Sequence, residues 1–247
     1  MLHGDATDRF VGTLAEHPRQ AAPSSGGHRL VPWCWFGYDF GIYLSTNLPA
    51  AESHMQPPSI HQLIRTRRTI KPAQMDARPI DRDQIQTLLE DANWAPTHGL
   101  TEPWRFTVFL GDARKRLAQM LAQTYREITP PGEFKQNKFD SFAVNPTLAP
   151  LVIAIGMKRQ PSKKISEIDE IAAVACAVQN IHLSATALGL GGFWSSNPAA
   201  CSDAMRNFVG LGEEDRVLGL FYVGYPATDW PAGTRQPIAD KVRWETE

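Results

Sequence analysis

Apolar side chains recur at helical spacing in several segments of the chain after residue 58. Ser59 is placed to cap a helix in which Leu63 and Ile64 share one face. A second helix has a complete start signal, because Asp81 stands at the N-cap and Gln84 follows three residues later. The same spacing predicts further helices over residues 113–125, 166–188 and 199–209.

The longest predicted helix begins after Ser166 and ends at Gly189. Its apolar side is predicted to consist of Ile168, Ile171, Ala172, Ala175, Val178, His182 and Ala185. The small residues of the segment 172–177 would allow a second helix to approach closely. We therefore expect a central helix, in a core or at a dimer seam.

Three apolar runs are typical of strands, at residues 105–110, 151–155 and 217–223, and residues 191–195 form a short extended segment. The segment 129–145 is rich in Pro, Lys and Phe, and it predicts a loop that is a candidate lid. Few strands among many helices indicate an α+β fold without repeats.

Residues 1–54 show neither helical nor strand periodicity and are interrupted by several Pro and Gly residues. The pattern changes near Met55, so the chain is predicted to divide into an extension, 1–54, and a domain, 55–247. The extension is either a poorly ordered or wrongly assigned start, or an arm that wraps a partner subunit. The arm remains open because of its aromatic residues Trp33, Trp35, Phe36, Tyr38 and Phe40.

Composition excludes several classes of partner. The 247 residues carry a net charge of −1, so a nucleic-acid partner, which needs a dense basic face, is not expected. The apolar segment 30–44 is too short and too interrupted to span a membrane. Three widely spaced cysteines provide no disulfide framework, and a reducing, cytoplasmic location is the expectation.

Several kinds of protein-borne chemistry are also excluded. The chain has no G-x-S-x-G, H-E-x-x-H or C-x-x-C motif, and its seven histidines lack metal-ligand spacing. His182 is interpreted as a hydrogen-bonded histidine of a core or helix seam. The Gly-rich segment 189–194 fails as a dinucleotide loop because it follows a helix and ends in Trp194. A basic cluster beside a Gly-rich turn instead suggests a bound cofactor that carries the reaction.

Four motifs, in order, resemble those of the nitroreductase family. Residues 65–71 (RTRRTIK) are similar to its R-R-S/T segment, and residues 95–106 (APTHGLTEPWRF) to its A-P…Q-P-W-x-F signature. Residues 189–196 (GLGGFWSS) resemble its G-x-G-(x)-W-x-S turn, and residues 222–226 (YVGYP) its late G-x-P strand end. The resemblance covers about residues 58 to 245, and it favours the short, single-domain branch of NAD(P)H nitroreductases.

The resemblance implies an FMN site built from three groups of residues. The phosphate would be bound by Arg67, Arg68, Thr69, Lys71 and Arg235, because guanidinium groups make charge-assisted, bidentate contacts with phosphate. The ring would lie against Gly191, Gly192, Trp194, Ser195 and Ser196, where glycines permit close approach of the backbone. Trp94, Pro96 and His98 would reach the flavin from the partner subunit.

Each group also has a simpler interpretation. Two arginines suit a solvated helix end, glycines suit a helix C-cap turn, and His98 suits a surface loop. Two positions depart from the family pattern, since Trp94 replaces an arginine and Glu102 replaces a glutamine. These changes remove one polar flavin contact and bring a negative charge near the ring.

The implied fold is a small, mostly antiparallel sheet flanked by helices in an entwined homodimer. The implied activity is ping-pong transfer of hydride from NAD(P)H through flavin N5 to a nitroaromatic, a quinone or a similar two-electron acceptor, without a catalytic side chain. Phe142, Phe193 and Trp194 are candidates for the substrate slot. The alternatives are reductive dehalogenation or flavin cleavage on the same fold, and a non-catalytic flavin-binding or storage module.

Overall fold

The computed structural model describes residues 58–246. Four strands form one antiparallel sheet in the order β1-β2-β4-β3. They are β1 (Trp104–Phe109), β2 (Leu151–Met157), β3 (Gly191–Ser195) and β4 (Arg216–Gly224). Every residue of β2 is buried, as expected of a central strand covered on both faces.

Six α-helices occur within residues 58–246. They are α1 (Ile60–Thr66), α2 (Arg82–Asn93), α3 (Ala113–Ile128), α4 (Gln136–Leu148), α5 (Glu167–Ala187) and α6 (Asp203–Phe208). Helices α2 and α5 cover one face of the sheet, where Leu88 and Val174 join the core with Ile153. Helices α3 and α6 cover the other face, where Leu117 and Met205 join Val152.

The predicted α+β class and antiparallel sheet are confirmed, together with the position of every predicted strand. The start of α1 is also as predicted: the backbone N–H of Gln62 donates to Ser59 Oγ at 3.3 Å, and that of Ser59 donates to Gln62 Oε1 at 2.7 Å. The predicted division near residue 54, the aromatic run and Met55 lie outside the described residues.

The predicted loop over residues 129–145 is wrong for most of its length, since α4 begins at Gln136. Lysines, an asparagine and Pro146 obscure the helical pattern in this segment. The helix is stabilised from outside, because Tyr125 of α3 packs edge-on against Phe142 with ring centroids 5.1 Å apart. Phe134 packs on the same tyrosine at 5.4 Å. The segment is therefore part of the helical layer. Helix α6 (Asp203–Phe208) is shorter than the predicted 199–209.

The predicted apolar side of α5 is wrong in part. The helix buries Val174, Val178, Ile181 and Ala185, whereas Ile168 is 74% exposed. Because α5 carries apolar residues around most of its circumference, their spacing does not locate the core side. The outward face is mostly apolar as well, and it consists of Ile168, Ala172, Cys176, Leu183 and Ala187 together with the polar Gln179.

A buried ion pair fixes the connection between β2 and α5. Glu170 of α5 is fully buried and accepts from Arg159 Nη1, which also donates to the Ile165 carbonyl at 2.8 Å. The backbone N–H of Gln160 donates to the second Glu170 oxygen at 3.2 Å, and that of Arg159 donates to Asp215 Oδ1 at 2.8 Å. Both carboxylates thus anchor the loop that leads into α5.

We expect Glu170→Ala to lower the free energy of unfolding by about 3–5 kcal/mol, because it leaves the Arg159 guanidinium buried without its partner. Glu214→Ala is the matched control, since Glu214 pairs with Lys163 at 2.8 Å on the exposed surface. That change should have little effect on the free energy of unfolding, because solvent screens the exposed pair. Urea denaturation of both variants measures the difference, and equal losses would contradict the buried pair.

Candidate functional site

The basic segment after α1 runs beside the edge strand β3. The backbone N–H of Ile70 donates to the Gly192 carbonyl at 3.1 Å, and Thr69 forms a parallel bridge with the same glycine. The side chain of Thr69 is exposed. Two motifs that are about 120 residues apart in the sequence are therefore joined directly by backbone pairing.

Both glycines of β3 are required by the packing of the protein itself. A Cβ on Gly191 would lie 2.4 Å from Ile70 Cγ1, and a Cβ on Gly192 would lie 2.5 Å from Phe221 Cζ and 2.6 Å from His182 Cδ2. The sequence interpretation ascribed the missing Cβ atoms to close approach of a cofactor. The structure shows that they make room for Ile70 on one side of the strand and for His182 and Phe221 on the other.

A cavity of about 490 Å³ lies between the end of α1, the middle of α5 and the C-terminal segment. Four arginines line it, together with Ile64, Gln179, Gly233 and Thr234; they are Arg65, Arg67, Arg68 and Arg235. No carboxylate among residues 58–246 lines this cavity. Burial lowers the pKa of Arg67, and the neighbouring charges of Arg235 and Arg68 lower it further. The cavity is therefore a concentration of uncompensated positive charge, which suits an anion.

Arg68 is largely committed to backbone groups. Its Nε donates to the Pro231 carbonyl at 2.9 Å, and its Nη1 donates to the carbonyls of Arg65 at 2.7 Å and Arg67 at 2.8 Å. Arg67 makes no side-chain hydrogen bond to any other described residue. Of the predicted phosphate ligands, the structure therefore brings together Arg67, Arg68 and Arg235. Lys71 is exposed and does not line the cavity, because the chain turns away at Pro72.

His182 of α5 lies beneath β3, edge-on to Phe221 with ring centroids 4.6 Å apart. Its Nε2 is buried and makes no hydrogen bond of normal geometry with the described residues. Burial lowers the pKa of His182 to about 4, with the positive charge of Arg67 contributing and the Gly192 backbone opposing only in part. The sequence interpretation as a hydrogen-bonded core histidine is thus only half right: the ring is packed, but Nε2 is not satisfied.

The predicted contacts from the partner subunit lie on the surface of this chain. Trp94 is 86% exposed, and Pro96 and His98 are exposed too. His98 Nδ1 lies 3.4 Å from Asp169 Oδ2, at the start of α5. Thirteen residues of helix separate Asp169 from His182, which corresponds to about 20 Å. Within one chain, His98 is therefore far from the arginine cavity.

Comparison with known sequences identifies the family of this chain. The sequence profile described as the Nitroreductase family matches residues 64–225, which include the end of α1, the whole sheet and most of the site. The chain belongs to the nitroreductase family. The resemblance of the four motifs is confirmed.

Individual relatives agree with this result. YdjA of Escherichia coli K12, a predicted NAD(P)H nitroreductase, is 31% identical over 144 residues, which cover 58% of this chain and 76% of YdjA. A crystal structure of a nitroreductase-like family protein from Bacillus cereus has a TM-score of 0.66 at 25% identity and covers 77% of this chain and 97% of that chain. The FMN-dependent nitroreductase NfnB of Mycobacterium smegmatis, crystallised with NADPH, has a TM-score of 0.59 at 18% identity and covers 75% of this chain and 97% of that chain. At that identity the last comparison supports the fold alone.

The aromatic side chains of the third motif, residues 189–196, lie on opposite faces of the sheet. Trp194 donates its Nε1 to the Leu218 carbonyl at 3.0 Å on the α5 side, whereas Phe193 stacks on Tyr222 at 5.9 Å on the α3 side. Phe142 also belongs to the α3 side. The predicted slot of Phe142, Phe193 and Trp194 is therefore not formed within one chain.

The two serines that follow differ in their surroundings. Ser195 Oγ accepts from Asn197 Nδ2 at 3.1 Å, and Ser196 is exposed.

Among residues 58–246, no helix is both long and apolar enough to cross a membrane.

The low pKa of His182 predicts a specific dependence of stability on pH. The ordinary value is 6.5 and the folded value is about 4, so the folded state binds fewer protons between these limits. The contribution of neutral His182 to the free energy of unfolding is fully present above pH 6.5. It decreases as the pH drops toward 4, by up to about 3 kcal/mol. His182→Gln should lack this component, and denaturation of wild type and variant without cofactor at pH 7, 5.5 and 4 measures it. Parallel profiles would show that His182 is not neutral in the folded protein.

Proposed function

We propose that this nitroreductase-family protein is a cytoplasmic, FMN-dependent NAD(P)H oxidoreductase that passes two electrons to a nitroaromatic, a quinone or a similar acceptor. The observation that carries the proposal is the arginine-lined cavity between α1, α5 and the C-terminal segment. FMN, when bound, supplies the hydride chemistry, so the protein needs to bind, orient and shield it.

The cavity fits a phosphate in charge and in donor chemistry. Arg67 and Arg235 are close enough for one charge to lower the pKa of the other, and no carboxylate among the described residues balances them. A phosphate dianion would relieve this repulsion and accept charge-assisted hydrogen bonds from both guanidinium groups. The repulsion between the two guanidinium groups therefore favours the binding of an anion.

The strand beside this cavity suits the ring of the same cofactor. Because Thr69 bridges to Gly192, a cofactor with its phosphate at Arg67 would have β3 beside it. His182 lies behind this strand as a neutral ring whose Nε2 is unsatisfied. Because His182 is neutral, it adds no charge that would stabilise one redox state of the cofactor over another. The polar Ser195 and Ser196 lie at the end of the same strand.

A second copy of the chain completes the proposed site. Trp94 and Leu100 are 86% and 83% exposed, and the outward face of α5 is apolar except at Gln179. Exposed apolar surface of this extent is typical of an obligate interface. A two-fold axis perpendicular to α5 would bury this face twice and bring Trp94, Pro96 and His98 of one chain to the cofactor of the other.

We expect the purified protein to be yellow, to release FMN and not FAD, and to bleach rapidly when NADH or NADPH is added without oxygen. Stopped-flow absorbance at the flavin band measures the rate, and a nitroaromatic or quinone should restore the colour. Arg67→Ala should weaken FMN binding by roughly 2–4 kcal/mol, the cost of losing a charge-assisted partner.

Arg116→Ala is the matched control for Arg67→Ala, because Arg116 is exposed on α3 across the sheet. It should leave FMN binding unchanged. A flavin that stays oxidised with both nucleotides would indicate a storage module, and bleaching followed by dehalogenation or ring cleavage would indicate the alternative chemistries. Release of FAD would contradict the single-phosphate site.

The dimer is expected to protect Cys176 from alkylation. Cys176 and Cys201 are both exposed free thiols in the isolated chain, but only Cys176 lies on the outward face of α5. Maleimide labelling with peptide mapping should therefore modify Cys201 first, and dilution should make Cys176 reactive as the dimer dissociates. Sedimentation of the same samples checks the assembly. A monomer that retains FMN, with Cys176 as reactive as Cys201, would contradict the shared site.

A further inference from the structure

The segment of residues 230–235, here called the strap, is fastened to the C-terminal end of α1. Trp230 donates its indole N–H to the Thr66 carbonyl, and its ring packs against the buried cluster on the α3 side. Arg68 Nε donates to the Pro231 carbonyl at 2.9 Å. One side chain of the strap thus donates to the helix end, and one side chain near the helix end donates to the strap.

Arg68 is the centre of this junction. Its Nη1 donates to the carbonyls of Arg65 and Arg67, which belong to the helix end where carbonyl groups lack intrahelical partners. Gly233 lies directly on the guanidinium, since a Cβ there would be 2.2 Å from Arg68 Cζ. A side chain at position 233 would therefore displace either the strap or the Arg68 guanidinium, and in both cases it would disturb the hydrogen bond from Arg68 Nε to the Pro231 carbonyl.

The strap ends at Arg235, which lines the cavity beside Arg67. The two charges repel, and this repulsion adds to the effect of burial in lowering the pKa of Arg67. Among the described residues, the side chain of Arg235 donates only to the adjacent Thr234 carbonyl, at 2.7 Å. The contacts of Trp230, Arg68 and Gly233 are what keep it near the cavity.

We propose that the strap places Arg235 on the phosphate of the bound cofactor, and that Arg68, Trp230 and Gly233 are positioning residues for this contact. The inference rests on the proposed function, because it concerns the same cavity. It assigns direct phosphate binding to Arg67 and Arg235, and it gives Arg68 the role of fixing the strap. A tethered arginine binds at a high effective concentration, whereas a free tail would lose most of that gain.

Coupling of this kind is reciprocal. If the strap promotes phosphate binding, then phosphate must stabilise the strap. FMN should therefore slow tryptic cleavage after Arg235 in the apoprotein, whereas riboflavin, which lacks the phosphate, should have little effect. Inorganic phosphate should slow cleavage at concentrations that occupy the cavity.

The decisive variants change the strap without removing a charge. Gly233→Ala introduces a methyl group against Arg68, and Trp230→Phe removes only the indole donor. Each should weaken FMN binding to the apoprotein by about tenfold, the scale of one charge-assisted hydrogen bond, and leave riboflavin binding within about twofold. Gly132→Ala is the matched control, because a Cβ there meets no atom within 4 Å. Thermal unfolding identifies any variant that is merely destabilised, since such a variant would lose affinity for both ligands.

A double-variant cycle separates positioning from any other effect. Arg235→Gln alone should lower FMN affinity, and adding Gly233→Ala to it should cause no further loss, because the strap then has nothing to place. Independent losses in the double variant, or equal losses for FMN and riboflavin, would overturn the role of the strap. A wild-type protein that binds riboflavin as tightly as FMN would instead contradict the phosphate site of the proposed function.

Discussion

The position of Ile70 is the constraint on which the site depends. Its backbone N–H pairs with Gly192, and its side chain occupies the volume that a Cβ on Gly191 would fill. Ile70 is itself 2% exposed, so this contact is part of the core. The arginines that precede it are consequently held at a fixed distance from β3, although they lie in a loop. A core contact, and not the arginines themselves, determines where the positive charge is located.

Charged groups beside α5 are neutralised at its start but not farther along the helix. At its start, Glu170 and Arg159 form an ion pair and are bound by backbone groups. Beside the middle of the helix, the partly buried Arg67 lies near the exposed Arg235, no carboxylate of the described residues lines their cavity, and His182 retains an unsatisfied Nε2. A folded protein normally satisfies buried polar groups. This difference along one helix supports the proposed anion site.

The sequence predicted those parts of the structure whose causes are local. The cap at Ser59, the alternation of strands with turns and the grouping of Arg67 with Arg68 all depend on neighbouring residues. Other features depend on distant contacts. Helix α4 is stabilised by Tyr125 of another helix, and the buried side of α5 is selected by the sheet. The glycines 191 and 192 were correctly singled out, but their reason is the packing of Ile70, Phe221 and His182, which adjacent residues do not reveal. The strap was missed because a tryptophan, a proline and a glycine near the end of a chain form no periodic pattern.

The length of α5 explains why the proposed site requires two chains. The helix separates His98, beside Asp169, from His182 and the arginine cavity by about 20 Å, and a rigid helix of this length does not bend to bring them together. Its outward face is mostly apolar from Ile168 to Ala187, so removal of this face from water is favourable. An antiparallel pairing of two such faces would place the start of one helix beside the end of the other. The operation that removes apolar surface from water would therefore bring His98 of each chain toward the arginine cavity of its partner, and one geometric feature would account for both the proposed assembly and the proposed division of the site.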